Sequence, residues 1–321
     1  MVRRSGCRRV LGRILVVGLV VGSLGNGRLT ASSLAGRLGY GPDAKLLIIH
    51  ADDLGLAHSV NRASFEALRK GAVSSASIMM PCPWVREVVE FQTAHPEADI
   101  GLHLTLNSEW RWLKWGPVAS RDRVPGLLDP FGFLWPSVEE TVARATAAEV
   151  ETELRAQIEL AYALGLRPTH LDTHMGTVLR SKEFLEVYLK LGREYRLPVF
   201  LARPWLNLAP YAQELAAEQP ELLDGTTGLF QNPGAGGWPE AYAAMIRRLQ
   251  PGVTQMIVHL AYDDEEMRGV AHEHPDFGSA WRQADFDTVT SEAFRQVLRD
   301  EGVRLITWRD IGRALGLTGR E

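Results

Sequence analysis

Two cysteines in 321 residues leave little scope for sulfur chemistry. Cys7 lies in the N-terminal basic segment and Cys82 in "MMPCPW", so a processed chain would keep one thiol. That excludes an intramolecular disulfide and a cysteine metal site, and leaves Cys82 as a small packed residue or an inert thiol. Excess positive charge is missing too. The formal net charge is −4, which gives no electrostatic footprint for nucleic acid, and no nucleic-acid partner is expected. No glycine-rich phosphate loop follows any strand-like run, which counts against a nucleotide-binding open sheet. Internal repeats and low-complexity tracts are absent.

The N-terminus differs from the rest of the chain. "MVRRSGCRRVLGR" is rich in arginine and has no acid, and "ILVVGLVVGSLG" is a short apolar run. This is the pattern of an export signal whose apolar core is short for a bilayer span. Residues 1–38 are therefore read as a signal peptide or N-terminal anchor and residues 39–321 as a single catalytic domain. Export to the periplasm or beyond is the expectation, with membrane association through an uncleaved N-terminus as the competitor. The twin arginine of "CRRVLG" points to the Tat route.

The remaining chain is 45% hydrophobic if the whole sequence is counted, enough to bury a sizeable core. Apolar runs at 46–50, 73–79, 99–105, 168–173, 197–202, 253–259 and 303–306 alternate with helical periodicity at 58–70, 84–94, 137–164, 181–195, 239–250, 288–300 and 308–315. About seven strands alternating with helices predict parallel strands joined by crossovers. Continuous apolar runs suit strands buried on both faces. A distorted parallel (β/α) barrel and a doubly wound sheet both fit this order. Two irregular stretches interrupt it, one running to Trp135 and one over 203–237. The first is too long for a simple connection and reads as a functional loop.

Polar residues collect where these strands end. Asp52 and Asp53 close the first in "IIHADDLG", His103 the third in "GLHLTL", and His170, Asp172 and His174 the fourth in "THLDTH". Arg203 follows the fifth, and His259 ends "TQMIVH". Strand carboxyl ends share one edge of a parallel barrel, so these groups would surround a common mouth. Spacing by two puts His170, Asp172 and His174 on one strand face. One Asp with two His suits a divalent transition metal such as zinc, with positions left for water and substrate. For each residue alone a blander reading competes: a packed histidine, or a helix-capping aspartate in "ADD". Trp110, Trp112 and Trp115 of "EWRWLKWG" fit sugar stacking and a hydrophobic clamp equally well. His50 is assigned to the strand's other face.

These motifs resemble the YdjC-like carbohydrate deacetylases, the family of chitooligosaccharide deacetylase and the hopanoid-associated deacetylases. The similarity runs through "IIHADDLGLAHSVNRA", "GLHLTL", "PTHLDTH" and, more loosely, "MIVH", over residues 46 to about 310. It implies a distorted (β/α) barrel that removes the N-acetyl group of an amino sugar with one divalent metal, zinc or magnesium. By position, Asp53, His103 and His174 match the family's metal-binding residues, Asp52 its general base, and His259 a histidine suited to general acid. His259 stands in "HLA" where an "HPG"-like context is usual, and His50 stands where asparagine is common. Asp172, His170, Arg203 and Trp112 are the expected supporting or substrate-binding residues. An amidase acting on a non-sugar substrate and a non-catalytic sugar-binding barrel remain the alternatives. The oligomeric state is not legible.

Overall fold

The computed structural model describes residues 33–320 except Ala209, Glu218 and Ala235. The expectations about the basic stretch, the apolar run, the twin arginine and Cys7 lie outside the described residues. The strands are β1 (Lys45–Leu54), β2 (Ser75–Ile78), β3 (Ile100–Leu104), β4 (Leu171–Thr173), β5 (Gly225–Gly228), β6 (Gly252–Val258) and β7 (Arg304–Leu305). All pairings are parallel, in the order β4-β3-β2-β1-β6-β5, with β7 paired to the start of β1. Single bridges Leu171–Val199 and Ala202–Leu223 carry the curl from β4 round toward β5. The result is one α/β domain, a distorted (β/α) barrel.

Local sequence explains the elements. Nine of the ten β1 residues are buried, because helices cover one face and the barrel interior the other. In helix His58–Arg69, Val60, Ala63, Ser64 and Ala67 are buried at the spacing of one helical face. The helical region expected over 137–164 is two helices, Val138–Arg144 and Ala147–Ala163. Each has its own side-chain cap, Ser137 and Thr146, and Ala145 between them is extended, so the second cap starts a new helix where periodicity alone suggested continuation.

Three further differences are local. Among the described residues, 197–202 pair with neighbouring strand segments only through the two single bridges, and Pro198 has no N–H to give a ladder. The fifth strand is instead "GTTG", whose two glycines and lack of apolar residues hid it within the irregular stretch. Helix Ser279–Val289 has no counterpart among the expected elements. Helix Leu34–Arg37, placed before the domain boundary by sequence, buries Leu34 and Ala35 against Leu46, Val253, Trp308 and Ile311.

The barrel interior below the mouth is tightly filled. A Cβ added to Gly101 would lie 2.3 Å from the His170 ring, which stacks on Trp308 at 5.0 Å and bonds Thr169 Oγ1 at 3.0 Å. Gly101→Ala is expected to destabilise the fold by about 1–3 kcal/mol, since a ring fixed on two sides cannot move aside cheaply. Urea unfolding measures this, and an unchanged midpoint would contradict the packing.

Candidate active site at the barrel mouth

The two adjacent aspartates of β1 would normally point to opposite faces of a strand. Here the register of β1 against β2 shifts between Ala51 and Leu54, and Asp53 has φ +69°. Aspartate tolerates this left-handed conformation better than most residues. The resulting bulge turns both carboxylates toward the mouth, as bulges beside active sites do.

Asp53, His103 and His174 converge. His103 Nε2 and His174 Nδ1 each lie 3.5 Å from Asp53 Oδ1 and 3.2 Å from each other. Each ring is held from behind by a carboxylate. His103 Nδ1 donates to Asp172 Oδ1 at 2.8 Å, and His174 Nε2 donates to Glu109 Oε2 at 2.9 Å. That leaves the inner nitrogen of each ring facing Asp53 Oδ1, a buried oxygen with no hydrogen-bond partner. Two imidazole nitrogens and an orphaned carboxylate oxygen form a donor set that fits a divalent metal ion, and these ligand atoms are close enough together to hold one.

The electrostatics call for positive charge at the same point. Burial opposes charge on His174, but Glu109 and Asp53 outweigh it and push the ring up to about 10. Burial likewise opposes charge on His103, and Asp172 and Asp52 raise it. Burial penalises the Asp53 carboxylate, yet Arg282 and His174 hold it well below the ordinary range. Protons or a metal ion can supply the cationic charge, and the two would compete.

Asp52 and His259 lie beside this cluster. Asp52 Oδ2 is 3.9 Å from both His103 Nε2 and His259 Nε2. Asp52 Oδ1 is 3.2 Å from His50 Nε2 but out of hydrogen-bond alignment. His259 follows β6, its ring against Phe277 at 4.9 Å, and burial pushes it down to about 4, so at neutral pH it is uncharged. Its backbone N–H is fixed by Asp285 Oδ2 at 3.1 Å. The structure thus brings Asp52, Asp53, His103, Asp172, His174 and His259 together. His174 reaches the mouth from the turn after β4, not from the strand.

Three expected supporting residues lie outside the Asp53–His103–His174 cluster itself. His170 is fully buried beneath the mouth between Trp308 and the His50 ring, because its strand position is two steps deeper than Asp172. Arg203 is exposed and pairs with Asp224 at 3.4 Å, near the start of β5, the wrong end for the mouth. Trp112 is 63% exposed under the Arg111 guanidinium, 4.7 Å from its ring centre, while Trp110 and Trp115 are buried and clamp the loop.

Other site residues carry no clear signal in the sequence. Arg282, buried in helix Ser279–Val289, donates from Nη2 to Asp53 Oδ2 at 2.7 Å and from Nε to Phe277 O at 2.7 Å. Nothing in "SAWRQADF" marks it apart from other surface-type arginines. Glu109 is masked by the tryptophans beside it. His50 is on the same face as Asp52, not the opposite one, as strand alternation two residues apart requires. It lies 2.9 Å from Asp172 Oδ2 and bonds Ser75 and Ser77, each at 3.0 Å. Burial opposes its charge, but the Asp172 and Asp52 carboxylates on either side outweigh that and push the ring up to about 10.

Fold and site together define a barrel hydrolase. The family model of YdjC-like proteins matches residues 46–300, and the chain belongs to that family. A carbohydrate deacetylase of Thermus thermophilus is 33% identical over 291 residues, covering 87% of this chain and 98% of the relative. One of Thermoanaerobacter pseudethanolicus is 26% identical over 82% of this chain and 98% of its own length. Among solved structures, a putative cellobiose-phosphate cleavage protein of Enterococcus faecalis superposes with a TM-score of 0.70 at 25% identity, over 84% of this chain and 99% of that one.

Proposed function

We propose that this chain removes the acetyl group from an N-acetylated amino sugar or oligosaccharide, using one divalent metal held by Asp53, His103 and His174. The observation that carries the reading is the convergence of two ring nitrogens on the orphaned Asp53 oxygen. The relatives named as carbohydrate deacetylases support the substrate class. Nitrogen-rich ligation favours zinc over magnesium. When bound, the ion would polarise the acetyl carbonyl as a Lewis acid and bring the pKa of a coordinated water toward about 7.

The chain's own groups handle protons and orientation. Asp52, beside the cluster with Oδ1 lacking a hydrogen-bond donor, takes the proton of the attacking water. His50 and Asp172 behind it keep that carboxylate and His103 in place. His259, uncharged and 3.9 Å from Asp52 Oδ2, receives the proton in turn and delivers it to the leaving amine nitrogen. Arg282 holds the second oxygen of Asp53, so that Oδ1 alone is presented. Acetate and a free amino sugar are the products.

The test is acetate release from a panel of N-acetylated mono- and oligosaccharides and simple non-sugar acetamides, before and after chelation. The expected result is release from sugars only, abolished by chelator and restored by zinc. Release from non-sugar amides alone would overturn the substrate class, and chelator-insensitive release would overturn the metal. An absence of release from every compound would leave a binding barrel as the better reading.

A further inference from the structure

The carboxylates behind the two candidate ligand rings differ in origin. Asp172 belongs to β4, whose backbone is fixed by its ladder with β3. Glu109 comes from the irregular segment after β3, where no regular hydrogen-bond ladder fixes the backbone. Its neighbours fix it instead. Ser108 N donates to Trp135 O at 2.9 Å, and Ser108 Oγ accepts from Trp115 N at 3.1 Å. Trp110 is buried, with the Arg282 guanidinium 5.5 Å from its ring centre and the His274 ring at 5.0 Å. Arg111 pairs with Glu273 across the mouth, an exposed contact that adds little stability. Glu109 is thus held between two anchored residues with its carboxylate 2.9 Å from His174 Nε2.

That contact decides which nitrogen of His174 carries the proton of the neutral ring. With Glu109 accepting at Nε2, the proton sits there and the Nδ1 lone pair faces inward. Without it, a buried Nε2–H would lack a partner, while Asp53 Oδ1 at 3.5 Å would draw the proton to Nδ1. The ring would then present a donor where a ligand is needed.

We propose that Glu109 is a positioning residue that holds His174 with its Nδ1 lone pair toward Asp53 and His103, and so sets how tightly the chain retains its divalent metal. This rests on the reading of Asp53, His103 and His174 as the metal ligands. Zinc affinity of the full chain, measured by competition with a chromogenic chelator, tests it without recourse to activity. Glu109→Ala is expected to raise the zinc Kd by about 10–100-fold, the usual cost of losing a ligand's outer partner. Glu109→Gln keeps an acceptor oxygen without the charge and is expected to fall between wild type and Glu109→Ala. The metal-free unfolding midpoint should move little in either variant, whereas a merely structural role would lower it and leave the Kd of the folded protein unchanged. If Glu109→Ala does not fold, the near-isosteric Glu109→Gln decides the question. Asp53→Asn is the control. Unchanged Kd in the Glu109 variants beside a weakened Asp53→Asn overturns the role of Glu109 alone. Unchanged Kd in Asp53→Asn overturns the ligand assignment and this proposal with it.

Discussion

Asp52→Asn is expected to lower acetate release by about 10²–10⁴-fold, the usual contribution of a positioned general base, while zinc content stays at the wild-type level. The substitution keeps the shape of the side chain and its place at the β1 bulge but removes the ability to take a proton. Asp52 is 3.9 Å from His103 Nε2 and stands outside the Asp53–His103–His174 group, although with His103 and Asp172 it forms a second group close enough to hold an ion, so retained zinc in this variant assigns the metal to the first group. The cost should appear in kcat with little change in KM, because the lost interaction belongs to the transition state. Zinc analysis and acetate assay on the same preparation check both halves. Near-normal turnover with bound zinc would remove Asp52 as the base; loss of zinc together with turnover would make it a ligand instead.

Arg282→Met should give the largest loss of stability of any single change at the site, about 3–5 kcal/mol, because it strands a buried carboxylate without its cation. Arg282 is 1% exposed and donates to Asp53 Oδ2 at 2.7 Å. Arg282→Lys should lose less, since an ammonium can still face Asp53 but cannot also bond Phe277 O through a planar fork. The pH dependence has a definite sign. In the wild type the Asp53 carboxyl is held low, so its contribution to stability is present above the unfolded carboxylate value and fades as pH falls through the depressed folded value. Without Arg282, Asp53 takes up a proton at higher pH, and a neutral Asp53 no longer needs the cation. The gap between variant and wild type in metal-free urea unfolding should therefore be widest near neutral pH and narrow in acid. Saturating zinc should recover part of the loss by binding the folded state. A gap that is constant from about pH 3 to about pH 7 would show that the cost is packing alone.

Much of this architecture is legible in the sequence. The alternation of apolar runs with helical periodicity points to a parallel α/β fold, the family motifs point to its barrel form, and the polar residues at strand ends point to its mouth. Asp52, Asp53, His103, Asp172, His174 and His259 are all visible that way, since strand direction alone puts strand ends at one edge. Depth within a strand is harder to read. "THLDTH" presents His170, Asp172 and His174 as equals, yet each step of two residues moves about 7 Å along the strand, and His170 falls beneath the mouth onto Trp308. For His50 the error runs in the other direction: assigned to the strand's other face, it lies between the Asp52 and Asp172 carboxylates at the heart of the site.

By itself, the sequence determined the fold class, the edge on which function sits and the residue types that can serve it, because hydrophobic periodicity and strand polarity are local properties of the chain. Only the tertiary structure decided which of those residues meet. Arg282 and Glu109 enter from a helix 229 positions beyond Asp53 and a loop 65 positions before His174, distances across which no periodicity carries information. The bulge that turns Asp52 and Asp53 the same way is likewise a matter of pairing with β2. Direct contact sets hydrogen-bond partners and the charge a buried group can hold, and contact between distant segments exists only once the barrel has closed.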